Sequence, residues 1–337
     1  MSADVSVVIP SFNRAGLIAE TLESILGQTF PPAEIIVVDD GSTDDTEAVV
    51  ARYAPKVRYH RIENSGPSRA RNVGASLASA RWIAFCDSDD LWRPTKLERQ
   101  MRIHELFPEV EYSFTDFTII ESGRWLPGSK FGEASPGFWA SPARKVEGEI
   151  WVYEEAILDR VLDFQPIFVS TFVISHRRYE DLGGYDEKFS RALAEDLEFT
   201  LRNAMRPPIG VLAGPLVGIR RHPGNNSAYF LGVLLGEIAI LEYALDTHTE
   251  AAPFREVIAQ QIEWRRSLAV DQAFAAGRLD LVRKLAPGLG GRYRDWKRQT
   301  KIGIARLPPP LARAARRVLV AAGTGVSQAR RRGPITQ

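Results

Sequence analysis

Three aspartates stand within four positions in FCDSDDLW, residues 85–92. Asp87, Asp89 and Asp90 directly follow the apolar run WIAF, which is typical of a buried strand. Carboxylates this close repel one another, so the arrangement is costly unless a cation or hydrogen-bond donors neutralise it. Hard oxygen ligands suit Mg²⁺ or Mn²⁺, which proteins often hold with one or two carboxylates plus substrate phosphates. The alternative is a solvated turn whose acids cap a helix that begins near Pro94.

A second acidic turn ends the β-branched run in EIIVVDDGSTDDT, residues 34–46. Asp39 and Asp40 close the run, and a carboxylate at a strand end can accept hydrogen bonds from a base or from ribose hydroxyls. Capping of the following helix is enough to explain Asp44 or Asp45. The first two aspartates are therefore candidate ligands for a nucleotide, and the second two are not.

Two further kinds of charged residue suit a phosphorylated substrate or proton transfer. Arg69 and Arg71, in NSGPSRARNVG, begin a predicted helix and offer fixed donors and a planar face to a base or phosphate, unless they are ordinary surface arginines. Glu195 and Asp196 are consecutive on another predicted helix, so only one can face a given cleft as a general base; the alternative is a solvated helix face. His222, beside two arginines, suits a metal or a diphosphate, although a lone histidine is usually structural.

Alternating strand-like and helix-like segments must position these residues. VSVVIPSF, EIIVVDD and WIAFCDSDD are apolar strand-like runs, and AGLIAETLESILGQ and DDTEAVVARYA have helical spacing between them. This βαβαβ order with continuously apolar strands predicts a parallel sheet covered by helices on both faces. Ligands of such sheets bind outside the carboxyl ends of the strands. We therefore expect the polar clusters PSFNR, DDGSTDD and DSDD to share one rim.

The rest of the chain gives a mixed pattern. From about residue 110 to 225, VEYSFTDFTII and PIFVSTFVISH predict strands, and IWVYEEAILDRVLD predicts a helix. WLPGSKFGEASPGFWASPARK is rich in glycine, proline and serine and predicts a mobile loop. GGYDEKFSRALAEDLEFTLRNA predicts a turn that leads into the helix carrying the Glu-Asp pair. The last hundred residues are mostly helical in pattern.

Composition bounds the class of protein. The chain has 337 residues, 45% of them hydrophobic and 25% charged, with a net charge of +1, as in ordinary soluble globular proteins. Cys86 is the single cysteine, which excludes an internal disulfide and fits a reducing compartment. AYFLGVLLGEIAILEYALD, residues 228–246, is interrupted by Glu237 and Glu242 and predicts a core helix. Without a signal-peptide pattern at the N-terminus, we expect a cytoplasmic protein with no transmembrane helix.

Taken together, VSVVIPSFNR, EIIVVDDGSTDDT, NSGPSRARNVG, WIAFCDSDDLW and GGYDEKFSRALAEDLEFTLR resemble the family 2 glycosyltransferases of the GT-A fold. The resemblance covers roughly residues 4–225. It implies an α/β fold of the GT-A type: a Rossmann-like, mostly parallel sheet flanked by helices, with a C-terminal helical extension. The implied division is 1–110 for the half that binds the nucleotide-sugar, 111–225 for the half that binds the acceptor, and 226–337 for a helical region with a basic tail.

The resemblance also implies roles for individual residues. The activity is an inverting transfer from a nucleotide-sugar, usually a UDP-sugar, to a hydroxyl acceptor, assisted by Mn²⁺ or Mg²⁺. Asp196 is the implied catalytic base with Glu195 beside it, and Asp89 is the more direct metal ligand with Asp87 as its partner in the DxD element. The implied donor-binding residues are Pro10, Ser11, Asp39, Asp40, Gly41, Ser42, Arg69, Arg71, Asp87, Ser88 and His222.

Two other functions fit part of the same pattern. A nucleotidyltransferase also binds nucleotide and metal in an α/β fold, but it usually carries a glycine-rich phosphate loop where this chain has PSFNRAGLI. A non-catalytic sugar-nucleotide-binding protein is the other alternative, against which the intact aspartates argue. By family analogy alone, bacterial cell-surface polysaccharide or glycolipid assembly is the expected setting, with a glycan or lipid-linked acceptor.

The C-terminal segment is strongly basic. From Arg292 onward there are twelve Lys and Arg residues against one acid, Asp295. PPPLARAARRVLVAAG, residues 308–323, has the pattern of a basic amphipathic helix that can lie on an anionic membrane surface. A solvated or disordered tail is the alternative. Nucleic acid is not an expected partner, because the aromatic interleaving of a single-strand platform is missing.

Overall fold

The computed structural model describes residues 4–135, 137–139, 144–146, 149–222 and 229–321. It divides into two compact units, one formed by residues up to 222 and the other mainly by residues 229–321. Two short segments, 162–164 and 192–194, group with the second unit.

Four parallel strands separated by three helices begin the first unit. In chain order the elements are β1 (Val5–Ser11), α1 (Ile18–Leu26), β2 (Glu34–Asp39), α2 (Thr46–Ala51), β3 (Arg58–Arg61), α3 (Pro67–Leu77) and β4 (Trp82–Phe85). β1 lies between β2 and β4, and β3 pairs with β2. Strands β1 and β4 are buried along their whole length, which is why their sequences are continuously apolar. The predicted βαβαβ order is confirmed.

The later part of the first unit completes the sheet. Its elements are β5 (Leu91–Trp92), α4 (Lys96–Leu106), β6 (Tyr112–Glu121), β7 (Arg124–Trp125), β8 (Arg144–Val146), β9 (Ile150–Tyr153), α5 (Leu158–Phe164), β10 (Phe172–Ser175), α6 (His176–Asp181), α7 (Glu195–Ala204) and β11 (Ile209–Arg221). The strand order is β3-β2-β1-β4-β10-β6-β11-β9-β8. β10 runs antiparallel to both of its neighbours, whereas β6 and β11 are parallel. The α/β class is confirmed, with a first half that is parallel and a second half that is mixed.

One local prediction in the second half was wrong. IWVYEEAILDRVLD was predicted as one helix, but its first four residues form strand β9, which pairs with β11. Three of these four side chains are buried, which fits a strand. The predicted mobile loop after β7 contains a short 3₁₀ turn, Phe131–Glu133, and its Trp139 ring stacks on Phe131 at a centroid distance of 4.4 Å. Both rings are buried, so this described part of the predicted loop packs on the protein, while its mobility stays a prediction.

The second unit is helical. It contains α8 (Phe230–Thr247), α9 (Arg255–Ala275), α10 (Leu279–Leu285), α11 (Trp296–Arg306) and α12 (Pro309–Ala321). Helix α8 is the predicted core helix, and Glu237 within it accepts a hydrogen bond of 2.8 Å from the buried guanidinium of Arg265. That ion pair explains an acid inside an apolar run. Within the described ranges, none of the helices combines the length and apolar character needed to cross a membrane.

Candidate functional site

The three polar clusters meet at one rim of the sheet, as the sequence predicted. The hydroxyl of Ser42, after β2, accepts a hydrogen bond of 2.8 Å from the backbone N–H of Asn13, after β1. Arg14 Nε lies 3.4 Å from Asp89 Oδ2, which follows β4. The carboxyl ends of three parallel strands are thus joined by direct contacts between their turns.

The ends of β1 and β2 form the first wall of the rim. Pro10 and Ser11 close β1, and Ser11 is in register with Asp39 at the end of β2. Asp39 is fully buried: Oδ1 accepts a hydrogen bond of 2.7 Å from Ser42 N–H, and Oδ2 accepts one of 2.5 Å from the Tyr59 hydroxyl. Both carboxylate oxygens therefore already accept hydrogen bonds within the protein. The contact with the nucleotide base that the resemblance implies stays a prediction.

Asp40 anchors the loop that leads into helix α3. Its two oxygens accept hydrogen bonds of 2.7 Å and 2.8 Å from the N–H groups of Ser65 and Gly66. Burial raises the pKa of Asp40, and these two donors oppose the rise. Gly66 has a φ of +90°, and a Cβ there would lie 2.5 Å from the carbonyl oxygen of Ser190. Gly41, with a φ of +79°, lets the chain turn directly after the aspartate.

The aspartate turn after β4 divides its three carboxylates among different tasks. Asp90 points into the fold, where it accepts hydrogen bonds of 2.5 Å from the Ser170 hydroxyl and 3.1 Å from the N–H of Arg220. Burial, followed by the charges of its two neighbours, raises the pKa of Asp90 well above its usual range. Helix α4 is capped at Thr95, without a side-chain hydrogen bond at the cap. The capping alternative for these aspartates is therefore wrong.

Asp89 and His222 are hydrogen-bonded to each other, and their ligand atoms also lie close enough together to bind one metal ion. Asp89 Oδ2 lies 2.9 Å from His222 Nε2. Adjacent ligand atoms of an octahedral magnesium site, with bonds of about 2.1 Å, are about 3.0 Å apart. Among the described residues, no three His, Cys, Asp or Glu side chains converge to hold a metal. Asp89 and His222 are therefore the candidate ligand pair in the part of the chain that the structure describes, with Arg14 as a nearby cation.

Arg71 occupies the centre of the site. The residue is 3% exposed, and its Nη2 donates a hydrogen bond of 3.0 Å to Asp87 while its Nη1 donates one of 2.8 Å to Glu195. The guanidinium lies 5.1 Å from the ring centroid of Tyr185. It is therefore not an ordinary surface arginine, and it is engaged with carboxylates rather than open to a base. Arg69 lies apart from this cluster, in an exposed ion pair with Glu187, N to O 3.2 Å.

The Glu-Asp pair begins helix α7 and divides into two roles. Glu195 is buried against Arg71, whereas Asp196 is half-buried. Burial raises the pKa of Asp196 to about 7; the negative charges of Glu195 and Asp87 add to the rise, and Arg71 opposes it. A carboxylate with a pKa near neutrality is suited to accept a proton from a hydroxyl. Consecutive positions on the helix give the two acids different surroundings.

The fold and the site agree with a family profile. The profile described as Glycosyl transferase family 2 matches residues 6–221, well over half of the chain. The chain belongs to glycosyl transferase family 2. The matched range runs from the second residue of β1 to the end of β11, one residue before His222.

Individual family 2 relatives and solved structures match as well. The putative teichuronic acid biosynthesis glycosyltransferase TuaG of Bacillus subtilis is 39% identical over 120 residues, which is 34% of this chain and 47% of TuaG. The UDP-Glc:alpha-D-GlcNAc-diphosphoundecaprenol beta-1,3-glucosyltransferase WfaP of Escherichia coli is 38% identical over 118 residues, 34% of this chain and 46% of WfaP. The chain spans between about a fifth and a half of the length of its curated relatives. Residues 1–349 of S. aureus TarS in complex with UDP superpose with a TM-score of 0.62 at 20% identity, over 96% of this chain and 93% of that one.

Several side chains of this family 2 site were missed from the sequence. Tyr59, Ser170 and Tyr185 contact charged site residues that are distant in the chain, and no local pattern in their own segments predicts those contacts. Arg14 was quoted in PSFNR without a role, although its position directly after a strand end was a usable signal. Phe12, in the same turn, is 43% exposed, which is unusual for a large apolar side chain beside a site.

Proposed function

We propose that this protein is an inverting, metal-dependent glycosyltransferase that moves a sugar from a UDP-sugar to a hydroxyl group. The observation that carries the proposal is the position of Arg71 between Asp87 and Glu195. It links the aspartate turn after β4 to the first turn of α7, so that Asp196 and the aspartate turn belong to one site. The name of the relative WfaP, which uses UDP-Glc, supports the class of donor.

The donor nucleotide would lie across the carboxyl ends of β1 and β2. Pro10 and Ser11 lie at the end of β1, and the Gly41–Ser42 turn follows the end of β2, so both segments would line the nucleotide. Phe12 offers an exposed ring on which a base can stack, a contact worth about 1–3 kcal/mol in nucleic-acid-binding proteins. Ser88, between the two DxD aspartates, is buried, and its contact with the diphosphate stays part of the proposal.

Asp89 and His222 would hold the divalent cation, with Asp87 on the side of Arg71. When bound, the metal neutralises negative charge that builds on the departing nucleoside diphosphate. The Asp89–His222 spacing of 2.9 Å supports this assignment. Mg²⁺ sites that act on phosphates commonly combine one or two protein ligands with phosphate oxygens and water, and such a site would need no further side chain than these.

Asp196 would deprotonate the acceptor. Its carboxylate takes the hydroxyl proton while the acceptor oxygen attacks the anomeric carbon from the face opposite the diphosphate. The bond between the anomeric carbon and the phosphate oxygen breaks, and its electron pair leaves with the nucleoside diphosphate. Configuration inverts in this single displacement, without a covalent enzyme intermediate. Glu195 positions the base by fixing the first turn of α7 to Arg71.

The acceptor is best sought among glycans and lipid-linked sugars. Names of family 2 relatives point to polysaccharide assembly, in teichuronic acid biosynthesis for TuaG and on a diphosphoundecaprenol carrier for WfaP. The second half of the sheet and the aromatic turn around Phe131 are the proposed acceptor side, since they follow the donor half in the chain. The cytoplasmic face of a membrane is the matching proposed location.

Binding calorimetry with UDP tests the metal and donor assignments. We expect Mn²⁺ to raise the affinity for UDP, and Asp89→Asn or His222→Gln to lower the affinity in Mn²⁺ at least about tenfold. Asp181→Asn is the matched control, because Asp181 sits in an exposed ion pair with Arg206. UDP binding that is equally tight without metal contradicts the metal assignment.

A transfer assay with a panel of nucleotide-sugars tests the base. Asp196→Asn should leave the UDP dissociation constant within about twofold and reduce transfer by about 10²–10⁴, the usual contribution of a general base. NMR of the product reports the anomeric configuration. Wild-type rates in Asp196→Asn remove the base assignment, and release of pyrophosphate instead of UDP favours a nucleotidyltransferase.

A further inference from the structure

Helices α11 and α12 of the second unit present apolar side chains to solvent. Over the described residues, five of the eight exposed large apolar side chains fall between positions 296 and 320: Trp296, Leu307, Leu311, Val318 and Val320. Trp296 is 70% exposed and Val318 is 71% exposed. Single exposed apolar residues are ordinary, but such a concentration marks an interaction surface.

The exposed face of α12 is distinct from the face that packs on the unit. Ala312, Ala315, Arg316 and Leu319 have the i, i+3, i+4, i+7 spacing of one helix face, and they are buried or half-buried. Leu311 and Val318, seven residues apart, share a different stripe of the helix. Arg313 and Arg317, four residues apart, are both exposed and lie together on the solvent side, roughly 100–160° around the helix from that stripe. The solvent side of α12 is therefore apolar and basic at once.

Helix α12 is fixed in this orientation by Arg316. Its Nε donates a hydrogen bond of 2.6 Å to the carbonyl of Phe274, and its Nη2 donates to the carbonyl of Ala275. Both carbonyls lie at the C-terminal end of α9, where a cation is favourable. Arg316 is thus a structural residue, and the apolar stripe of Leu311 and Val318 stays outward with α12 docked.

The segment that forms these helices has a large excess of positive charge. Residues 292–321 contain nine Lys and Arg residues and one acid, Asp295. Asp295 accepts a hydrogen bond of 3.0 Å from Arg298 N–H at the start of α11. Arg298 and Lys301 both bind Asp271 of α9 and hold α11 in place. The basic residues that remain exposed are Arg292, Arg294, Lys297, Arg306, Arg313 and Arg317.

We propose that α11 and α12 form a docking surface for an anionic lipid bilayer. Apolar side chains from a basic helix face insert at the boundary between headgroups and acyl chains, while arginines and lysines pair with lipid phosphates. The combination of exposed Trp296, Leu311 and Val318 with exposed basic side chains complements such a surface in both apolar character and charge. A second copy of this chain carries the same positive charge on this face and repels it. The surface goes beyond the proposed transfer reaction and does not depend on it.

Vesicle flotation with the full chain tests the proposal. The protein should float with phosphatidylcholine vesicles that contain about 30 mol% phosphatidylglycerol and stay in solution with phosphatidylcholine alone. Leu311→Ser/Val318→Ser should lower the partition coefficient at least about tenfold, and Arg313→Glu/Arg317→Glu at least about twentyfold, from about fivefold per charge. Tyr229→Ser, which alters another exposed ring of the same unit, is the matched control and should float as wild type does.

Other outcomes overturn the proposal. If Leu311→Ser/Val318→Ser floats as wild type does, the apolar stripe does not contribute to membrane binding. If wild type floats equally well with neutral vesicles, the basic side chains do not contribute to it. A dimer in light scattering that the same double variant dissociates assigns the face to a second copy. Oligonucleotide binding that Arg313→Glu/Arg317→Glu abolishes, without flotation, assigns it to nucleic acid. UDP affinity and the melting temperature, measured on each variant, separate a failure of this surface from a failure of the proposed function or of folding.

Discussion

The pH dependence of transfer is the most direct test of the proposed base. With a pKa of about 7, Asp196 is deprotonated in about a tenth of molecules at pH 6 and in about nine tenths at pH 8. Only the deprotonated carboxylate accepts a proton, so the rate should rise with pH and be about tenfold higher at pH 8 than at pH 6. The assay is the initial rate of UDP release at saturating donor, acceptor and metal over pH 5–9.

Two variants test whether the rise of the rate with pH comes from Asp196. Glu195→Gln removes a negative charge that raises the pKa of Asp196 but keeps an oxygen acceptor for Arg71, so the rise should move to lower pH. His222→Gln tests the histidine of the rim; it should lower the rate but leave the pH midpoint of the rate near 7. If the wild-type rate rises with a midpoint near pH 4, the ordinary range of an aspartate, Asp196 is not a base with a raised pKa. If the rise near pH 7 disappears in His222→Gln, the titrating group is not Asp196.

Three stability measurements test the buried network by chemical denaturation. The folded state holds the Asp196 proton more tightly than the unfolded state does, so the free energy of unfolding should fall as pH rises from about 4 to 7. At pH 8 the free energy of unfolding of Asp196→Asn should exceed that of wild type by about 1–2 kcal/mol, and at pH 4 it should not. Arg71→Met leaves Asp87 and Glu195 without their shared cation and should lower the free energy of unfolding by about 3 kcal/mol. An unchanged denaturation midpoint would show that Arg71 does not bridge the two carboxylates. Gly66→Ala overlaps the Ser190 carbonyl at a backbone conformation, φ +90° and ψ 166°, that is essentially restricted to glycine. It should cost more than Gly123→Ala, at another positive-φ glycine with open space around it, which should lose about 1 kcal/mol; equal losses mean that the loop yields.

The sequence was sufficient to predict the rim of the site because one topological rule applies to it. Parallel strands place their carboxyl ends together, so apolar runs that end in Asp39 and in Asp87 predict neighbours without any structure. The same rule predicted that Ser11 lies at this edge. These residues are brought together by β1, β2 and β4, whose pairing follows from βαβ connections of ordinary length.

What the sequence did not predict depends on contacts between distant segments. Arg71 and Glu195 are 124 positions apart, and a helical pattern around Arg71 says nothing about which carboxylate will face it. Strand β10 is only four residues long, so its place in the sheet is set by packing rather than by its own pattern. Phe131 and Trp139 lie in a glycine- and proline-rich segment where turn residues masked the aromatic cluster.

The insertion of β10 between β4 and β6 limits how the protein can be divided or synthesised in parts. A fragment that ends before residue 172 has β4 paired on one side only, and all four residues of β4 are buried in the complete protein. Such an open apolar edge pairs readily with other chains and promotes aggregation. The same fragment also lacks Glu195, one of the two carboxylates that Arg71 holds. A nascent chain therefore has to emerge past Glu195 before its first hundred residues can reach their final packing, and a separately expressed donor half is not expected to fold.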